Sequence, residues 1–583
     1  MKKKISNLFC SKETTLKEVL NKFDQASHHQ LPSGIGLFVD EDKRLIGVIS
    51  QGDVRRALLN GASLADKGIN YMTTAPIKFD FRESLSEILD KLPRELKLRN
   101  RKSNKYLDKI ILVDENDRPV RVIGYHELWE QKVAIHRNIS IIGMGYVGLT
   151  LAIVMADSGF NITGVESNQA TLDLLLKGES HVFENGLSEL LKENLNGNLN
   201  FKNKVEASDV YIISVGTPIY CPTEGGEPEP NMDYLKSASK SVGEKLSIGN
   251  LVVLRSTVPI GTTRGFVKAI LEEASGLICG IDFHLSFAPE RTAEGSAIKE
   301  LRTLPQVIGG FNQDSVRVTS AIFRDITSTI VTVDSLEEAE MVKLINNSFR
   351  DYIFAFSNHI AKIASKYNIN AHQLIGSSNR GYVRDPIPYP SPGVGGPCLT
   401  KDPYIFSYVT EQLSIEHPLF LSGRKVNESM HEFVFEQFLK ALKLVRKEKQ
   451  QIKLLFCGLA FKGNPATGDI RNSSSVEIVK LFNSTTFKLF AYDAVTPQEE
   501  VASIGVNYHD IKEGFDGFDA VLFLNNHVQF KNINPFQMVS SMQTNPIIFD
   551  GWNLFEGKDI LSVKPAVYMG LSNIITSIKD IKH

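Results

Sequence analysis

Two rhythms of apolar and polar positions alternate along the chain. Short β-branched runs bounded by glycine or polar residues read as strands, and stretches whose apolar positions return at helical spacing read as amphipathic helices. Residues 37–58, LFVDEDKRLIGVISQGDVRRAL, predict strand, turn, strand and helix, and residues 110–130, IILVDENDRPVRVIGYHELWE, repeat that plan. A helical pattern precedes each copy, TTLKEVLNKF at 14–23 and ESLSEILDKL at 83–92. Two copies of one unit predict a paired α+β module over residues 1–132. From residue 137 the rhythm changes. Strand patterns at Ile139–Ile142, 209–218 (DVYIISVGTP) and 250–259 (NLVVLRSTVP) end in small polar residues, as parallel strands do where ligands bind.

Residues 335–366 predict one long helix, with Ser335 and Glu338 placed as a capping box. Val342, Ile345, Phe349, Ile353, Phe356, Ile360 and Ile363 form a stripe on it that is expected to be core. Lys343 and Asn347 lie one turn apart and project together. From about residue 450 the strand-helix-strand rhythm returns, in IKLLFCGLAFKG and FKLFAYDAV.

Composition narrows the function classes. The 583 residues are 42% hydrophobic and 23% charged, ordinary for a soluble globular protein, and too many for one core. A formal charge of −2 provides no global basic field for nucleic acid or anionic lipid, so any anionic ligand must be held locally. Cys10, Cys221, Cys279, Cys398 and Cys457 are scattered, without metal-site or redox spacing, which implies no metal and a reduced, cytoplasmic setting. The opening MKKKISNLFCSKETT lacks the apolar run of a signal peptide. Ile139–Ala156 is apolar enough to suggest a membrane span, but its glycines have another explanation.

That stretch reads ISIIGMGYVGLTLAIVMA. A strand leads into Gly143-x-Gly145-x-x-Gly148 and a helix, and a second strand ends at Glu166. In this order the glycines permit a tight turn, backbone approach to a pyrophosphate, and close helix–strand packing. Helix amides hold the phosphates, and an acid at Glu166 accepts from ribose hydroxyls and repels a 2′-phosphate, which favours NAD over NADP. Thr217 and Thr257 close their strands where cofactor or substrate would lie.

Four further motifs complete the pattern: SFAPERTAEG at 286–295, SLEEAEMVKLINNSFRDYIFAFSN at 335–358, GVGGPCLTKDPY at 393–404 and GLAFKGNPATGDIRNSSS at 458–475. With the glycine fingerprint, they make residues 137–575 resemble the UDP-glucose/GDP-mannose dehydrogenase family, and residues 1–132 resemble a tandem CBS domain pair. The resemblance implies an α/β fold: an NAD-binding Rossmann domain at 137–333, a central helical domain at 334–445 carrying the cysteine loop, and a UDP-sugar-binding Rossmann-like domain at 450–583. It implies NAD-dependent four-electron oxidation of a sugar C6 alcohol through a thioester on Cys398. Lys343 would stabilise the oxyanion with help from Asn347, Glu290 would move protons in hydrolysis, and Thr257 and Asp402 would position water. Asp402-Pro403 is also readable as an N-cap with proline at the first helical position. A helix terminus there and Lys401 would favour the thiolate.

The cofactor set implied is Gly143, Gly145, Tyr146, Val147, Gly148, Glu166, Val215, Thr217, Ser256, Thr257, Glu294 and Arg471. Substrate contacts would come from Glu290, Arg291, Lys343, Asn347, Gly393, Gly395 and Lys462. Arg380 or Arg384 would meet substrate, and Arg424 and Asn427 follow a family pattern of unassigned role. Ser50 and Asp53 are the residues that would hold an adenine nucleotide at the CBS pair. The long helix would contribute to a homodimer. Arg291-Thr292 after Glu290 points to the branch acting on UDP-N-acetylhexosamines for surface glycan precursors, with UDP-glucose as the alternative. His359 and Trp552 depart from the family, where glutamate and arginine are common. Two rival readings remain: a two-electron dehydrogenase with a structural Cys398, and a degenerate NAD-binding sensor of adenylates.

Overall fold

A computed structural model describes residues 5–28, 31–83, 88, 91–92, 95, 109–124, 137–220, 226–415, 419–445, 452–483 and 486–578. The N-terminal repeat is visible in the strand pairing. Phe9–Cys10 lies parallel to Ile35–Val39, which pairs antiparallel with Leu45–Ser50. Lys78–Asp80, Lys109–Val113 and Pro119–Gly124 reproduce that order, with a register shift at the equivalent residue. Leu8, Ala26 and Leu37 share one core with Ile111, Val113 and Val122, so each half covers the other's apolar face. The helix expected at 83–92 falls largely outside the described residues, as does the segment after Gly124.

Over the described residues, eight strands form the next sheet. Asn138–Ile142 lies between Asn161–Val165 and Val210–Ile213, all parallel. The chain runs outward to one side of Asn138–Ile142 and then crosses to the other, which opens the crevice where such sheets bind ligands. The one antiparallel pair in this sheet, among the described residues, joins His284–Phe287 to Gln306–Gly310. Helix α1, Tyr146–Asp157, follows the glycine loop and is buried from Gly148 to Ala156. The apolar run at Ile139–Ala156 is therefore a strand and a core helix. Among the described residues no helix is long and apolar enough to cross a membrane.

A seven-stranded sheet closes the chain, among the described residues, with Lys453–Cys457 between Lys488–Tyr492 and Ala520–Phe523. It repeats the same crossover beside its central strand.

Helix α2, Leu336–Ser365, connects the two halves and corrects an expectation. Ser335 caps it, but Glu338 reaches past Ser335 to accept from the Asp334 amide at 2.9 Å, so the capping box is only half formed. The stripe expected in the core is largely on the surface: Ile345, Phe349, Phe356 and Ile363 are 44%, 62%, 49% and 47% exposed. The buried face instead carries Ala339, Glu340, Lys343, Leu344, Ser348, Asp351, Ala355 and Asn358. Small and charged residues face inward because the helix packs closely on helix α4, Leu419–Glu428, and borders the cleft described next.

Candidate active site

The glycine loop divides its work as its spacing implies. Gly143 has φ +93°, and a Cβ on Gly148 would stand 1.9 Å from the Gly143 carbonyl. A Cβ on Gly145 would meet nothing within 4 Å, so the backbone amides opening α1 face free space. Glu166 accepts from the Met144 amide at 3.0 Å and the Asn168 amide at 2.8 Å, which fixes its carboxylate over this loop. These groups fit a dinucleotide. Val147 is half-buried in the first turn of α1, and the Tyr146 hydroxyl bonds Glu184. Glu184 is buried and also accepts from the Gly295 amide at 2.7 Å and the Ala297 amide at 3.1 Å, linking the glycine helix to the APERTAEG loop.

At the next two strand ends the hydroxyls are committed to backbone. Ser256 donates to the Val215 carbonyl at 2.6 Å and Thr217 to the Thr257 carbonyl at 2.5 Å. Thr257 itself is half-buried beside them.

The cysteine loop, 393–398, leads into helix α3, Asp402–Gln412. Asp402 is the first helical residue and Lys401 occupies the cap, so the expected N-cap role is not what its side chain does. Asp402 is fully buried and accepts from Asn347 Nδ2 at 2.5 Å and from Lys401 Nζ at 2.7 Å. Lys343 is only 6% exposed, and its Nζ stands 3.6 Å from Glu290 Oε2. Desolvation works against its charge, but Glu290, the Cys398 sulfur and Asp402 outweigh it and hold the ammonium above its ordinary pKa. Arg255, fully buried, also acts on Glu290; desolvation brings its guanidinium down to about 10. Among the described cysteines, Cys10, Cys279 and Cys457 are buried and Cys398 is exposed. Protein still crowds the Cys398 sulfur, and desolvation raises its pKa, with Lys343 the largest opposing influence and Lys401 a lesser one. Lys401 is tied to Asp402, so the thiolate is not favoured in the way the sequence implied.

Gly395 and Gly396 serve a purpose other than making room for ligand. A Cβ on Gly395 would meet the Asn472 carbonyl at 2.6 Å, and the Gly396 amide donates to that carbonyl at 3.0 Å. Gly393 likewise stands against Ser474. The loop is pressed onto the C-terminal domain. From that domain Arg471 bonds Asp469 and its charge acts on Glu294, Cys398 and His181, which places it across the cleft. An opening of about 730 Å³ lies here, lined by Thr217, Pro397, Lys401 and Arg471 among others. Lys462 donates to the Glu294 carbonyl at 2.7 Å and so braces the two sheets. Burial and Asp469 raise the Glu294 carboxyl to about 7.

Other expected residues lie apart. Arg291 donates to the Pro305 carbonyl at 2.6 Å. Arg380 and Arg384 are exposed, and so is His359. Trp552 donates to the Leu524 carbonyl at 2.8 Å. Ser50 and Asp53 pair with each other as a reciprocal cap on the helix Gln51–Leu59: the Ser50 hydroxyl accepts from the Asp53 amide at 3.2 Å, and the Asp53 carboxylate accepts from the Ser50 amide at 2.8 Å. Glu184, Arg255 and Asp351 escaped notice. A polar residue inside the run LVVLRS was the one available signal, for Arg255; the others become significant only through partners distant in sequence.

A glycine-loop crevice facing a second nucleotide-type sheet, with a solvent-reaching thiol between them, defines an NAD-dependent dehydrogenase. The chain matches the UDP-glucose/GDP-mannose dehydrogenase family over its NAD-binding domain (residues 137–327), central domain (337–429) and UDP-binding domain (455–557), and belongs to that family, whose members are NAD-dependent nucleotide-sugar dehydrogenases. Residues 1–60 match the CBS domain. A UDP-N-acetyl-D-mannosamine dehydrogenase of Pyrococcus horikoshii is 31% identical over 423 residues, 72% of this chain and 96% of that one. One from Campylobacter jejuni is 33% identical over 417 residues, 69% of this chain and 98% of that one. The solved Pyrococcus horikoshii structure superposes with a TM-score of 0.65 at 29% identity, covering 75% of this chain and 99% of the other.

Two predictions follow from the site's charges. If Glu166 accepts from the ribose, as the family resemblance implies, Glu166→Ala should weaken NAD binding about tenfold in a titration, an unchanged affinity moving the ribose contact elsewhere. Glu294, titrating near 7 in the fold against about 4.3 unfolded, binds its proton more tightly when folded. Its contribution is complete below about 4.3 and lost as pH rises through about 7. Glu294→Gln should therefore melt higher than the parent at pH 8 and no higher at pH 4; equal differences at both would show that the carboxyl titrates normally.

Proposed function

We propose that the protein oxidises the C6 alcohol of a UDP-N-acetylhexosamine to the uronate, with Cys398 as the covalent nucleophile. The observation that carries this reading is the arrangement around that sulfur: an exposed thiol beside a buried ammonium, Lys343, with Asn347 and Asp402 joined at 2.5 Å. A thiol is what lets one site perform two successive oxidations. NAD, when bound, supplies the hydride acceptor. The chain's own residues do the rest. The Cys398 sulfur adds to the C6 aldehyde, and the Lys343 ammonium offsets the charge that develops on oxygen, an effect that can reach several kcal/mol in a dry site. The resulting thiohemiacetal carbon again carries a hydrogen to donate, and its oxidation leaves a thioester. Asp402 and Thr257 direct the hydrolytic water and Glu290 carries its proton, releasing the thiol.

The N-acetylhexosamine assignment rests on Arg291-Thr292 after Glu290 and on the UDP-N-acetyl-D-mannosamine dehydrogenases among its relatives. The product serves as a surface-glycan precursor made in the cytoplasm. The exposed apolar stripe of α2 supports a homodimer built on that helix. An adenine nucleotide at the N-terminal pair would have to displace the mutual pairing of Ser50 and Asp53.

A panel of UDP-sugars, followed by NADH formation with and without AMP or ATP, tests substrate and regulation together. The expected result is two NADH per N-acetylhexosamine and, with Cys398→Ser, a fall in turnover of several orders of magnitude. One NADH per sugar, or uronate formation at the parent rate by Cys398→Ser, overturns the thioester route; two NADH from UDP-glucose alone transfers the assignment to that sugar. For the dimer, Phe349→Asp should yield monomers in analytical ultracentrifugation, and a parent that already sediments as a monomer refutes it.

A further inference from the structure

Arg424 on α4 is 1% exposed, and its guanidinium points at the cysteine loop from behind. Nη2 donates to the Val394 carbonyl at 2.8 Å, and Nη1 donates to the Leu399 carbonyl at 3.1 Å and to Asp351 Oδ1 at 2.7 Å. The two carbonyls bracket residues 395–398, so one planar fork spans the segment that carries the nucleophile. Asp351, 1% exposed, sits on α2 two turns beyond Lys343. Asn427 donates to the Asp351 carboxylate at 2.9 Å and receives the Asn358 amide at 2.9 Å, while Asn358 accepts from the Ser391 amide at 2.8 Å. Helix α2 thus holds the oxyanion-stabilising cation and, through Asp351 and Asn358, both the clamp and the start of the loop it clamps.

We propose that Arg424, braced by Asp351, is a positioning residue that sets the distance between the Cys398 sulfur and the Lys343 ammonium. The guanidinium suits the task because it makes several donor bonds in a fixed plane. A lysine would place one point charge and could not span both carbonyls. The inference deepens the nucleophile reading of Cys398 and rests on it.

The test uses the full-length protein with Arg424→Met and Arg424→Lys. With the Met variant, kcat should fall about a hundredfold while both KM values stay within about threefold, the signature of a misplaced reacting group. The Lys variant should recover part of that loss. Alkylation of Cys398 by iodoacetamide across pH, followed on its own peptide by mass spectrometry and without substrate, should move its midpoint, because a loosened loop changes both the desolvation that raises the thiol and the Lys343 charge that lowers it. Should the Met variant fail to fold, the Lys variant alone decides: about a tenfold loss of kcat at unchanged KM supports the clamp. Parental kcat and an unmoved alkylation midpoint overturn it, as does a parallel loss of kcat, KM and melting temperature with lysine no better than methionine. Because the alkylation readout needs no turnover, it separates failure of the clamp from failure of the thioester route, which Cys398→Ser reports.

Discussion

A lysine ammonium kept charged out of bulk water is the constraint around which this molecule is organised. Lys343 can remain an ammonium in the cleft because Glu290, the Cys398 sulfur and Asp402 surround it. A charge so placed needs partners, and each partner needs its own, because an unpaired buried charge costs far more than a paired one. That requirement accounts for Asn347 and Lys401 on Asp402 and for Arg255 near Glu290. It also explains why α2 is inverted, with charged, polar and small residues inward and aromatic and aliphatic ones outward.

The second constraint is closeness. Three chain segments from separate parts of the sequence meet at the cleft, and they meet largely through backbone. Gly395 lies against Asn472, Gly295 against Ala466, and the Lys462 ammonium reaches the Glu294 carbonyl. Where backbone packs on backbone, a Cβ would collide, so glycine is required for assembly as much as for binding. The cysteine loop gets its position from two sides, the Asn472 carbonyl in front and Arg424 behind. A short loop held only at its ends would wander by more than the fraction of an ångström that the chemistry proposed for this sulfur tolerates.

The N-terminal module obeys a simpler logic. Each three-stranded half leaves an apolar face, and the halves cover one another. Its helix Gln51–Leu59 opens with Ser50 and Asp53 satisfying each other's amides, a complete structural role for the two residues that the CBS resemblance makes ligand groups.

What the sequence determined by itself is local: the strand-glycine-helix unit, the acid at Glu166, the alternation that makes parallel sheets, the internal repeat, and the turn-spaced pair Lys343 and Asn347. Apart from the repeat, each depends on residues close along the chain, which periodicity and spacing report directly. Only the tertiary structure decided which face of α2 is inside, because apolar periodicity marks a stripe but cannot tell a core from a surface that is itself apolar. The same holds for Asp402, whose position suggested a cap until Asn347, 55 residues earlier, supplied the donor. Arg424 and Asp351, 73 residues apart, acquire meaning only as a buried pair, since the energy of a desolvated charge is set by what the fold brings beside it.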